Sequence, residues 1–82
     1  DISPDHRKVA LISGTTLWIF YDFENDNFLG GKVKTISLGP NTQKEAVCFA
    51  SNTEVYITDE YIRRKGSGGK IYRLDLGVYF QD

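Results

Sequence analysis

The chain is predicted to be all-β and antiparallel, and three observations lead there. Short runs rich in Val, Ile, Thr and aromatic residues recur along it, and clusters of Gly, Pro, Asn and Asp separate them. No segment long enough for a stable helix places its apolar residues at helical spacing.

The first strands read "RKVALIS" and, after Gly14, "TTLWIFYDF"; they stand too close together for a helix between them. In "LWIFY" neither alternate face is polar, which predicts a strand buried on both sides. "ENDNFLGG" supplies the acidic, Asn and Gly residues of a turn. "KVKTISL" carries Lys32 and Lys34 at one end, as suits an outer strand where charge discourages edge-to-edge pairing. "GPNTQ" ends it, because Pro40 lacks the amide donor a ladder needs. Then come "EAVCFA", a turn at "SNT", "EVYITDE", an open loop "YIRRKGSGG" and "KIYRLDL". The tail "GVYFQD" is expected either to add a last short strand or to lie loose.

Composition narrows the function classes. With 82 residues, 40% of them apolar, and a formal charge of −1, the chain suits one small domain, residues 1–82. A core this small gains from a staple, a metal or a partner. Cys48 is the single cysteine, so an internal disulfide is excluded, and no Cys/His spacing forms a zinc site. Its place inside "AVCFA" predicts a buried, inert thiol. No apolar run approaches the roughly 20 residues of a membrane span. The near-neutral balance argues against a nucleic-acid surface. The basic run Arg63, Arg64, Lys65 leads into "GSGG", as a solvated loop tip does. "DISPDHRK" shows no leader, and the sequence contains no Met, which together predict a segment of a longer chain.

Self-similarity adds an architecture. A shift of 46 positions lays Val9 on Val55, Leu11 on Ile57 and Ser13 on Asp59. A shift of 54 lays "GTTLWIF" on "GGKIYRL", with Trp18 over Tyr72 and Phe20 over Leu74. The difference falls in the loop "YIRRKGSG", where insertions are tolerated. Short strands repeating at this period predict antiparallel four-stranded meander sheets, about two β-propeller blades, blade one near 1–39 and blade two near 43–82.

"ISPDHRKVALIS" resembles the inner-strand, turn and second-strand pattern of propeller repeats of the TolB type. "QKEAVCFASNTEVYITDE" with "GGKIYRLDL" resembles blades of six-bladed extracytoplasmic propellers of the phytase-like and SdiA-regulated families. The resemblance implies a secreted, periplasmic or cell-surface protein. Two blades cannot close a ring, so the expected partners are the remaining blades of a parent propeller or further copies of this chain, three copies giving six blades. A compact pair of sheets packed as a small sandwich is the other arrangement.

The resemblance also implies a place for metal. Glu45 opens an inner strand, where an acidic residue of calcium-binding propellers can face the axis, and Asp59 and Glu60 end the next strand on a nearby rim. This chain reads "EA" where those families read "EG", and it offers few of the oxygens calcium takes. The alternative is that Glu45 pairs with Lys44 or a loop amide while Asp59 and Glu60 cap a turn. The expectation is no resident cofactor, with Ca2+ as the alternative.

Other signals are thin. His6 follows "SPD" where many such repeats place Gly, and reads as an exposed turn residue. Ser3, Ser13, Ser51 and Ser67 lack a nucleophile elbow. "GSGGK" precedes a strand rather than a helix and lacks the phosphate-loop spacing. Trp18, Phe20 and Tyr21 read as core rather than as a sugar-stacking platform. The expected function is therefore binding or scaffolding without catalysis, with a small ligand or glycan at the axis. The alternatives are a piece of a calcium-dependent phytase-like or lactonase-like hydrolase, with Glu45 contributing, or a self-assembling two-blade lectin.

Overall fold

A computed structural model describes residues 1–39, 44–59 and 71–80, and within strands the side chains of 44, 45 and 59 are outside that description. Among the described residues the chain is all-β, as expected. Strands β1 (Val9–Ser13), β2 (Thr16–Tyr21) and β3 (Lys32–Ser37) form one antiparallel sheet, and β4 (Lys44–Phe49), β5 (Glu54–Asp59) and β6 (Ile71–Asp75) form a second. Two short 3₁₀ turns, Phe28–Gly30 and Leu76–Tyr79, complete the described structure.

Each sheet is a meander in chain order, so every strand pairs with its sequence neighbour. The β1–β2 loop is the residue pair Gly14 and Thr15, since Ser13 lies opposite Thr16. Gly14 has φ +60°, the backbone freedom a two-residue hairpin loop needs at its first position. β3 is an edge strand, and its lysines sit where charge keeps a foreign strand from pairing.

Among the described residues each sheet has three strands, not the four expected. Before β1 the chain makes one isolated bridge, Ile2 to Val9, and leaves the ladder. Pro4 has no amide proton to donate, and Ser3 to His6 form a turn closed by the His6 amide donating to the Ser3 carbonyl at 2.9 Å. After β6, where a strand or a loose tail was expected, the Asp75 carboxylate accepts the Gly77 amide at 2.9 Å and coils the chain into a 3₁₀ turn.

Strand alternation assigns two faces to each sheet. In the first, Ala10, Ile12, Leu17, Ile19 and Ile36 point toward the second; there Val47, Phe49, Val55, Ile57 and Leu74 point back. Leu76 closes this common core from the second 3₁₀ turn. Tethers at one end fix the packing: the Asp1 carboxylate accepts the Phe49 amide at 2.9 Å, and the Asn52 side-chain oxygen accepts the Asp5 amide at 2.8 Å.

Two burial expectations change. β2 is fully buried on one face only: Leu17 and Ile19 are inaccessible, while on the other face Trp18 is 37% exposed and Phe20 is partly covered by Phe28. Cys48 is exposed, not buried. The period of two turns Val47 and Phe49 inward and therefore Cys48 outward.

The repeat acquires a geometric meaning here. Val9, Leu11, Trp18 and Phe20 all lie on the outer face of the first sheet, whereas their aligned counterparts Val55, Ile57, Tyr72 and Leu74 all lie on the inner face of the second. Matching strands thus use opposite faces. The sheets stack the same way round, like successive members of a row, rather than facing each other as mirror partners.

Candidate functional site

At one end of the first sheet, where the C-terminal 3₁₀ turn meets it, lies a groove of about 610 Å³, lined by His6, Arg7, Lys8, Tyr21, Asp22, Phe23, Asn25 and Phe80. Three separate pieces of chain supply it: the turn into β1, the exit from β2, and the end of the second 3₁₀ turn.

The 3₁₀ turn matters because it delivers Phe80. Tyr21 meets the Phe80 ring edge-on at 4.8 Å between centroids, and the ammonium groups of Lys8 and Lys34 lie 5.5 Å and 4.9 Å from its centre. Cations over a ring face are attracted by its quadrupole. Lys34 also donates to the Tyr79 carbonyl, and Lys8 to the Asn52 carbonyl at 3.4 Å. Phe23, which lines the groove, and Phe20, on the outer face of β2, each meet Phe28 edge-on.

The turn into β1 is held by Ser3, 1% exposed. Its hydroxyl donates to the Asp5 carboxylate at 2.6 Å and accepts the Lys8 amide at 3.0 Å. The same carboxylate oxygen accepts the Arg7 amide at 3.0 Å. These hydrogen bonds, Ser3 first, and then the charges of Lys8 and Arg7, hold the Asp5 carboxyl below its ordinary value of 3.8. Ser3 is thereby committed to structure and is not placed as a nucleophile.

His6, Asp22 and Asn25 have φ of 62°, 52° and 53°, and among the described residues these are the non-glycine residues with positive φ. All three line the groove. Each left-handed residue costs on the order of 1 kcal/mol or more, and such residues concentrate at ligand clamps. Asp22 is paired with Lys32 at 3.4 Å, so Arg7 and Lys8 remain as the groove's cationic side beside the aromatic rings.

The residues expected to bind metal are described only in part. Glu60 lies outside the described residues, as do the side chains of Glu45 and Asp59, the run 63–65 and the stretch 66–70. The backbone does place two of the acids together: Lys44 pairs with Asp59 and Ala46 with Thr58, so Glu45 is the extra residue of a bulge at that corner of the second sheet. Among the described residues no three His, Cys, Asp or Glu side chains gather to hold an ion. No described helix is long and apolar enough to cross a membrane.

The groove was not anticipated from sequence. It joins residues 6–8, 21–25 and 80, which no local pattern connects. One signal was present: His6 follows "SPD" in a turn, and its backbone is left-handed. A comparison with protein-family models, with curated proteins and with solved structures finds no match.

Proposed function

We infer that the chain is a non-catalytic binding and scaffolding module, made of two blade-like sheets of the propeller type, and that its ligand seat is the groove between the first sheet and the C-terminal turn. The stacking of aligned strands with opposite faces supports the blade reading, since consecutive blades of a ring pack the same way round. The observation that carries the binding reading is the groove itself, where Arg7 and Lys8 stand beside Tyr21, Phe23 and Phe80. Cations beside flat rings favour a ligand that joins an anionic group to a planar apolar body, the first held by charge-assisted hydrogen bonds and the second by stacking.

The test is an amide-resolved titration with phenyl phosphate, with inorganic phosphate as the comparison. Phenyl phosphate should perturb residues 6–8, 21–25 and 80, bind more tightly than inorganic phosphate, and lose most of its affinity in Arg7→Ala. Equal, diffuse effects of both anions would overturn the reading.

A further inference from the structure

The outer face of the first sheet presents Ile2, Val9, Leu11, Trp18, Phe20 and Val33 side by side. The register makes them contiguous: Ile2 pairs with Val9, Val9 with Phe20, Phe20 with Val33, and Leu11 with Trp18. The remaining strand positions on that face are Ser13, Thr16, Thr35 and Ser37, so none of its described strand positions is charged. Leu11 is 45% exposed and Val33 48%. A continuous uncharged apolar face of this kind marks an interaction surface, because water alone gains nothing from it.

The chain itself indicates what covers such a face. Its counterpart by repeat alignment is the inner face of the second sheet, where Val55 and Ile57 are buried beneath the inner face of the first. The covering face has its own counterpart, the outer face of the second sheet. There Ile71 is 71% exposed at the position matching Leu17, which is fully buried. Tyr56, Ala46 and Cys48 are exposed on the same side. Arg73 on that face is already ion-paired with Glu54, so its charge is locally compensated.

We propose that the chain docks head to tail with a second copy of itself, the outer face of the second sheet of one copy covering the outer face of the first sheet of the next. This rests on the blade-like repeat reading and repeats between copies the contact already made within one. Head-to-tail docking covers both open faces with a single kind of interface, whereas a symmetric pairing of first sheets would leave Ile71 and Tyr56 in water. Interfaces of this heterologous type close into rings when the rotation allows.

The experiment measures molar mass by light scattering on the full chain over a range of concentrations, with variants on each face. Ile71→Lys alters an exposed side chain of one face and Thr35→Glu an exposed side chain of the other, so neither disturbs the core. Wild type should exceed one chain mass and grow with concentration, and alkylation of Cys48 should slow in parallel. Each variant alone should stay at one chain. An equimolar mixture of the two should give two chains, because each supplies the face that the other has lost. A wild type of one chain mass throughout, an Ile71→Lys variant that associates like wild type, or a mixture that stays at one chain would each overturn the proposal. Phenyl phosphate binding is read separately: a single chain that binds it removes only self-docking, and an assembly that ignores it removes only the groove.

Discussion

Lys34 and Phe80 are far apart in sequence, on the edge strand β3 and at the close of the last 3₁₀ turn, yet the ammonium lies 4.9 Å from the ring centre. Tyr21 holds the same ring edge-on, so Phe80 latches the C-terminal turn to the first sheet. Phe80→Ala removes a half-buried ring with its cation–π and edge contacts, for which about 2 kcal/mol is expected, below the 3–5 kcal/mol of a fully buried Phe. The midpoint of thermal unfolding should fall by roughly 10 °C for a domain of this size. Phe80→Leu should recover about half of the loss. An unchanged midpoint in Phe80→Ala would mean that the latch is not part of the folded structure.

Ser3→Ala separates hydrogen bonding from packing. The change is small in volume, but it leaves the Lys8 amide without its 3.0 Å acceptor in a part-buried place. An orphaned donor costs about 1–3 kcal/mol. Urea unfolding should show that loss in the midpoint with an unchanged slope. Ser3→Thr keeps the oxygen and should retain most of the stability where its methyl is accommodated, so the oxygen rather than the volume is tested.

Asp5 makes stability fall in acid. Its folded-state pKa lies below the ordinary 3.8, so folding favours the carboxylate. The contribution is complete above the unfolded value and is lost as pH falls through the folded one. Urea midpoints measured from pH 5 downward should therefore decline more steeply in wild type than in Asp5→Asn, and the two curves should converge at the acid end. Parallel curves would show that Asp5 titrates alike in the folded and the unfolded chain, against the lowered folded-state value.

The class was legible because it depends on short-range chemistry: β-branched runs make strands and Gly, Asn and Asp break them. The edge position of β3 was legible from Lys32 and Lys34 for the same reason. Cys48 was misread because apolar neighbours in sequence are not neighbours on a strand; Val47 and Phe49 face the core and so turn Cys48 away from it. The double-sided apolarity of "LWIFY" was read as double burial, and only the three-dimensional arrangement shows Trp18 left 37% exposed on its outer face. Phe80 gave no signal at all, since a terminal "VYF" does not disclose that Asp75 coils it back toward Tyr21.

Gly14→Ala probes the backbone without touching packing. A Cβ there meets nothing within 4 Å, so the whole cost is the left-handed φ of +60°. About 1 kcal/mol is expected. Gly14→Asn should cost less than Gly14→Ala, because Asn tolerates that region better. Equal costs would point to a side-chain clash that the geometry does not contain.

Calcium discriminates between the scaffold and the hydrolase alternatives. The bulge at Glu45 brings its backbone beside Asp59, but two carboxylates supply fewer than the 6–8 oxygens the ion takes, and the other ligands of an axial site would come from further blades. For the chain alone, the thermal midpoint should be the same in calcium and in a chelator. A ligand bound well above its dissociation constant would instead raise stability by about 2.7 kcal/mol at a hundredfold excess. A calcium-dependent rise of that kind which disappears in Glu45→Gln would establish the metal site and displace the scaffold reading. A rise that survives Glu45→Gln would place the ion elsewhere and exclude Glu45 as its ligand.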